Sequence, residues 1–81
     1  MKVTISFYSY FKDLTGADRI TETVPPGTTL GEVFSMVAEK FPRLAPMRKS
    51  TLMAVGVNYR EQAYVLQDGD EVSLFPPVQG G

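Results

Sequence analysis

The sequence predicts a two-layer α+β domain in which one main helix packs across a mixed sheet of four to five strands. Three observations lead there: alternation of period two opens the chain and returns near its end, one stretch of helical periodicity lies between, and Pro-Gly or Asp-Gly breaks separate the segments. At 81 residues, 43% hydrophobic and 21% charged, the chain reads as one domain that buries a core without metal or disulfide staples.

Val3, Ile5 and Phe7 alternate with Lys2, Thr4, Ser6 and Tyr8, giving a first strand with one apolar face and not the continuous apolar run of a signal peptide. Tyr10 to Leu14 is expected to form a short helical turn. Arg19 to Val24 follows the turn at Thr15-Gly16 as a second strand, and two strands this close pair most simply as an antiparallel hairpin with an elaborated connection. Pro25-Pro26-Gly27 breaks the pattern, and Thr29-Leu30-Gly31-Glu32 has the Thr-x-x-Glu spacing of a capping box. Leu30, Val33, Phe34, Val37, Ala38 and Phe41 then form one apolar helical stripe, which Pro42 stops.

Arg43 to Ser50 reads as a basic, proline-containing loop and Thr51 to Val57 as a third strand, with Asn58 opening a turn. Ala63 to Leu66 is a short strand or a single helical turn. Asp68-Gly69 makes a tight turn before the final strand, Glu71 to Phe75, whose parity puts Val72 and Leu74 on one face and Ser73 and Phe75 on the other. A hairpin, a helix and later strands in this order make the pattern of a β-grasp over residues 1–75, followed by a flexible tail, 76–81.

The formal net charge of −1 argues against a nucleic-acid partner or an anionic membrane surface, since either calls for a basic face. No segment approaches the length of a membrane span, and the cytoplasm is the expected location. With no Cys and no His, the common nucleophilic triads and zinc sites cannot be built, so an independent enzyme is not expected. Asp68-Gly69-Asp70-Glu71 reads as turn chemistry and not as a metal site. Arg43, Arg48 and Lys49 read first as a solvated loop, with docking into an acidic partner groove as the competing reading.

Strand parity turns Phe75 away from the helix, onto the face where Tyr8 also points, and exposed aromatic rings on a sheet face mark an interface. Pro76-Pro77 ends the strand and stiffens the base of the tail, whose six residues span about 20 Å when extended. Gly80-Gly81 presents a carboxylate with no Cβ near it, which suits a narrow enzyme tunnel. The competing reading is a loose terminus.

Asp68-Gly69-Asp70-Glu71-Val72 followed by Phe75-Pro76-Pro77-Val78-Gln79-Gly80-Gly81 resembles the MoaD/ThiS family of ubiquitin-like sulfur carriers, within it the MoaD type, the small subunits of molybdopterin synthase. Phe7-Tyr8 and Lys12-Asp13-Leu14 fit more loosely, and Lys12 stands where the family often has arginine. The resemblance implies a ubiquitin-like β-grasp without catalytic groups of its own. Its reactive group is the Gly81 carboxylate, adenylated by a MoeB-type, ATP-dependent adenylyltransferase and converted to a thiocarboxylate. The sulfur comes from a donor such as a cysteine desulfurase or a rhodanese-like protein. The family further implies a MoaE-type large subunit, in a heterotetramer, as the site where sulfur passes to cyclic pyranopterin monophosphate to form the molybdopterin dithiolene. Val78, Gln79, Gly80 and Gly81 would enter that partner's active site, while Phe75, Pro76, Pro77 and Tyr8 would dock. No cofactor or metal is held stably, and ATP belongs to the activating partner. Competing readings are a carrier for thiamin thiazole or tRNA thiolation, a ubiquitin-like protein modifier, and a plain interaction module. Thiamin-type carriers are usually shorter and lack the Phe-Pro-Pro-Val approach.

Overall fold

The structure is a computed structural model that describes residues 1–77. Five strands form one mixed sheet: β1 (Lys2–Phe7), β2 (Arg19–Thr23), β3 (Leu52–Val55), β4 (Asn58–Tyr59) and β5 (Glu71–Phe75), in the spatial order β2-β1-β5-β3-β4. The two strands most distant in sequence are central neighbours. β1 and β5 run parallel with Ile5 opposite Val72 and Phe7 opposite Leu74, whereas the other pairs are antiparallel. This arrangement is the ubiquitin-like β-grasp.

Helix α2 (Leu30–Lys40) lies across one face, and the full capping box is made: the Thr29 hydroxyl accepts from the Glu32 amide, and the Glu32 carboxylate accepts from the Thr29 amide. Leu30, Val33, Phe34 and Val37 of its stripe are buried against Val3, Ile5, Phe7, Val72 and Leu74. Phe41 caps the helix and sets its ring edge-on to Phe7, with centroids 5.8 Å apart. Each chain break thus falls where apolar periodicity stops.

Several expectations change in detail. The short helix α1 spans Phe11–Thr15, one residue later in the chain than the expected turn at Tyr10 to Leu14, and it buries Phe11. The expected basic loop is a 3-10 helix, Pro42–Met47, that drives Leu44 into the core; proline at its start needs no amide partner. Asn58 does not open a turn but begins β4, because Gly56, with φ of 61°, already reverses the chain beside Val57. Ala63 to Leu66 is neither a helix nor a full strand: Val65 makes an isolated bridge with Thr29, and Leu66 is buried. The Asp68-Gly69 turn forms as expected, with Gly69 at φ 85° and the Asp68 carboxylate accepting from the Lys2 amide at 2.8 Å.

Arg48 also differs from a solvated loop residue. Its guanidinium donates to the Gly31 carbonyl at 3.3 Å, to Gln62 Oε1 at 3.0 Å and to the Ser35 hydroxyl, and it stacks 4.9 Å from the Phe34 ring centroid. It ties the segment after the 3-10 helix to the start of α2. No helix among the described residues is long and apolar enough to cross a membrane.

Candidate functional site

The sheet face turned away from α2 has two chemically distinct halves. Strand parity and register place Thr4, Ser6 and Ser73 on it with Thr21 of the edge strand β2, making one half polar. The other half is apolar and aromatic. Leu52 lies opposite Phe75 and Tyr59 opposite Ala54, and directly opposed residues share a face, so these side chains gather where β5 ends.

Tyr8 and Phe75 stack with ring centroids 4.5 Å apart and planes inclined by 18°, and Tyr59 meets Phe75 at 6.3 Å and 62°. The backbone fixes Tyr8: its amide donates to the Leu74 carbonyl at 3.2 Å, and its own carbonyl accepts from Phe11 at 3.1 Å. Ser9, at φ 54°, turns the chain out of β1 toward α1. Ser9, Tyr10, Leu52, Tyr59, Phe75, Pro76 and Pro77 line an open groove of about 410 Å³. Tyr59 is 69% exposed, and Tyr8 and Leu52 are each 40% exposed, so these large apolar groups form one contiguous patch and are not scattered singly.

Four residues singled out in the sequence, Tyr8, Phe75, Pro76 and Pro77, therefore come together. Val78, Gln79, Gly80 and Gly81 lie outside the described residues. The groove starts at the root of this segment, since Pro76 and Pro77 form part of its wall. Leu52 and Tyr59 were not foreseen as members. Parity within the third strand gives Leu52 the outward face, but Tyr59 joins only because β4 folds back on β3, where the sequence instead suggests a turn opening at Asn58.

Among the described residues, no group of three or more His, Cys, Asp or Glu side chains converges to hold a metal ion. No buried side-chain polar atom among them lacks a hydrogen-bond partner. The outer face offers an exposed aromatic and apolar surface suited to binding.

Comparison with known proteins gives the chain's family and fold relatives. The chain is 30% identical to the molybdopterin synthase sulfur carrier subunit of Homo sapiens, over 99% of this chain and 94% of that protein. Its fold matches the crystal structure of SAMP1 from Haloferax volcanii with a TM-score of 0.89, at 18% identity and with both chains fully covered. It also matches one chain of the complex of subunits 1 and 2 of the molybdopterin-converting factor from Helicobacter pylori, with a TM-score of 0.70 at 24% identity, over all of this chain and all of that one. The model of the ThiS family spans residues 5–81, from the middle of β1 through the segment beyond the groove, and the chain belongs to the ThiS family.

Proposed function

We propose that this chain is the sulfur-carrier subunit of a molybdopterin synthase, acting in the cytoplasm as a docking domain, residues 1–75, with a reactive arm, 76–81. The observation that carries the reading is the aromatic groove of Tyr59, Phe75, Pro76 and Pro77 at the base of that arm. A partner seated there receives the next residues of the chain within a reach of about 20 Å. Membership of the ThiS family and the 30% identity to a molybdopterin synthase sulfur carrier subunit support it.

In this reading the chain supplies position and a carboxylate, and its partners supply the chemistry. A carboxylate is a poor electrophile, so an adenylyltransferase of MoeB type joins a Gly81 carboxylate oxygen to the α-phosphorus of ATP and releases pyrophosphate. The terminal sulfur of a persulfide on a cysteine desulfurase or rhodanese-like donor then attacks the acyl carbon. AMP leaves with the carboxylate oxygen it captured, a second thiol reduces the resulting acyl disulfide by forming a disulfide with the donor cysteine, and Gly81 ends in a thiocarboxylate. That sulfur attacks a side-chain carbon of cyclic pyranopterin monophosphate within a MoaE-type large subunit, the oxygen substituent on that carbon leaves, and a second charged chain supplies the other dithiolene sulfur. Water cleaves the resulting thioester and restores the carboxylate for another round. Gly80 lets the backbone pass narrow walls, and Phe75 with Tyr8 holds the domain while Val78 and Gln79 thread inward. The chain is non-catalytic alone, works as part of a heterotetramer and binds no cofactor of its own.

Intact mass spectrometry tests this. Incubated with ATP, the activating enzyme and a sulfur source, the protein gains the mass difference between one sulfur and one oxygen, and deletion of Gly81 abolishes the gain. Absence of adenylate and thiocarboxylate in every enzyme pairing, with the protein folded, overturns the reading. Isopeptide adducts on lysine would establish a protein modifier instead.

A further inference from the structure

A second groove, of about 340 Å³, adjoins the aromatic one and shares Leu52 and Tyr59 with it. Leu52 and Met53 line it together with Arg48, Lys49 and Arg60 and a single carboxylate, Glu61. Within a chain of net charge −1, this is a local concentration of positive charge. The two ion pairs among the described residues, Lys12 with Asp18 and Lys40 with Glu22, lie elsewhere.

Arg48 and Arg60 are restrained without an ion pair among the described residues. Arg48 spends its donors on neutral oxygens, the Gly31 carbonyl, Gln62 Oε1 and the Ser35 hydroxyl, so its full charge remains. Arg60 is fixed through its backbone, whose amide donates to the Met53 carbonyl at 3.1 Å, and its guanidinium lies 4.8 Å from the Tyr64 ring centroid. A fixed, unneutralised cation loses little entropy when a carboxylate arrives.

We propose that this basic groove is the selective half of the docking surface and takes a protein face that presents carboxylates beside apolar side chains. The inference rests on the sulfur-carrier reading for the identity of the partner. The shared residues Leu52 and Tyr59 make the two grooves one continuous surface, so an apolar anchor on the aromatic side brings an adjacent acidic rim onto Lys49 and Arg60. The apolar lining and Glu61 fit a protein face better than a phosphate backbone, which would gain nothing from either. Such a rim governs association rate and choice of partner, while the aromatic side governs residence.

The test uses the full chain with the large subunit and, separately, with the adenylyltransferase, and measures association and dissociation rates from low to high NaCl. Lys49→Glu/Arg60→Glu is expected to slow association with at least one of them about tenfold at low salt, with the difference closing at high salt. Phe75→Ala is expected to speed dissociation instead. Lys49→Gln/Arg60→Gln supplies the charge-neutral version should the reversal impair folding, and Arg48 is left alone because it ties α2 to its neighbours. Unchanged rates and salt dependence with both partners, alongside weakened binding by Phe75→Ala, overturn the basic-groove inference and leave the sulfur-carrier reading intact. Failure of the wild-type chain to bind either partner overturns both. Binding of a short single-stranded oligonucleotide that displaces the protein partner overturns the choice of a protein face.

Discussion

Replacing Phe75 with alanine separates what the aromatic patch does for the fold from what it does for docking. A fully buried Phe→Ala change costs about 3–5 kcal/mol. Phe75 is partly exposed where it lines the groove, so the expected loss of stability falls at or below the lower end of that range, roughly 2–3 kcal/mol. Of this, about 0.5–1.5 kcal/mol belongs to the stack with Tyr8, which has the close, nearly parallel geometry of an offset pair. For a domain of this size that loss lowers Tm by about 10 °C. Urea denaturation of the single variants Phe75→Ala and Tyr8→Ala and of the double variant isolates the stacking energy as their coupling. Isothermal titration with the large subunit reads the second role, where a central aromatic anchor contributes about 2 kcal/mol, or roughly 30-fold in Kd. Phe75→Ala with unchanged Kd refutes the docking assignment. Zero coupling between Tyr8 and Phe75 refutes the stack as an energetic unit.

Two further substitutions test how the site is held. Gly31→Ala places a Cβ 3.0 Å from Gln62 Cβ and 3.3 Å from the Gln62 carbonyl oxygen, so urea denaturation is expected to show a loss of about 1 kcal/mol, the contact outweighing the better helix propensity of alanine. A more stable variant would show that the Gln62 segment yields freely. Lys40→Met removes the cation paired with Glu22, whose side chain is only 13% exposed on the inner face of edge strand β2; a loss of about 1–3 kcal/mol is expected. The double variant Glu22→Gln/Lys40→Met should recover most of that stability, because the cost lies in a carboxylate left nearly buried and unpaired. Equal stability of Lys40→Met and wild type in chemical denaturation would refute the argument.

Local sequence carried most of the elements. Val3, Ile5 and Phe7 have only one way to bury three apolar side chains on a strand, and the final strand, Glu71–Phe75, follows the same parity to its last residue. Thr29 and Glu32 marked the helix start because capping is a contact between near neighbours in the chain. The region from Pro42 to Leu66 was less legible, since its elements are short and held by distant partners: Leu44 by the core, Val65 by Thr29, Arg48 by Gly31 and Gln62. There, single-residue signals such as Asn58 were outweighed by the Gly56 turn two positions earlier.

The sequence alone determined the secondary elements that repeat with a clear period, the outward parity of Tyr8 and Phe75, and the lack of Cys and His. Period and composition are local properties, and the residues that express them are in plain view. Tertiary structure decided that the first and last long strands lie side by side, which stacks Tyr8 on Phe75, and that β4 folds onto β3, which brings Tyr59 beside them and Arg60 beside Lys49. Those pairings join residues far apart in the chain. They form because burying Ile5 against Val72 and Phe7 against Leu74 under α2 removes more apolar surface from water than strand propensity or turn chemistry can specify locally.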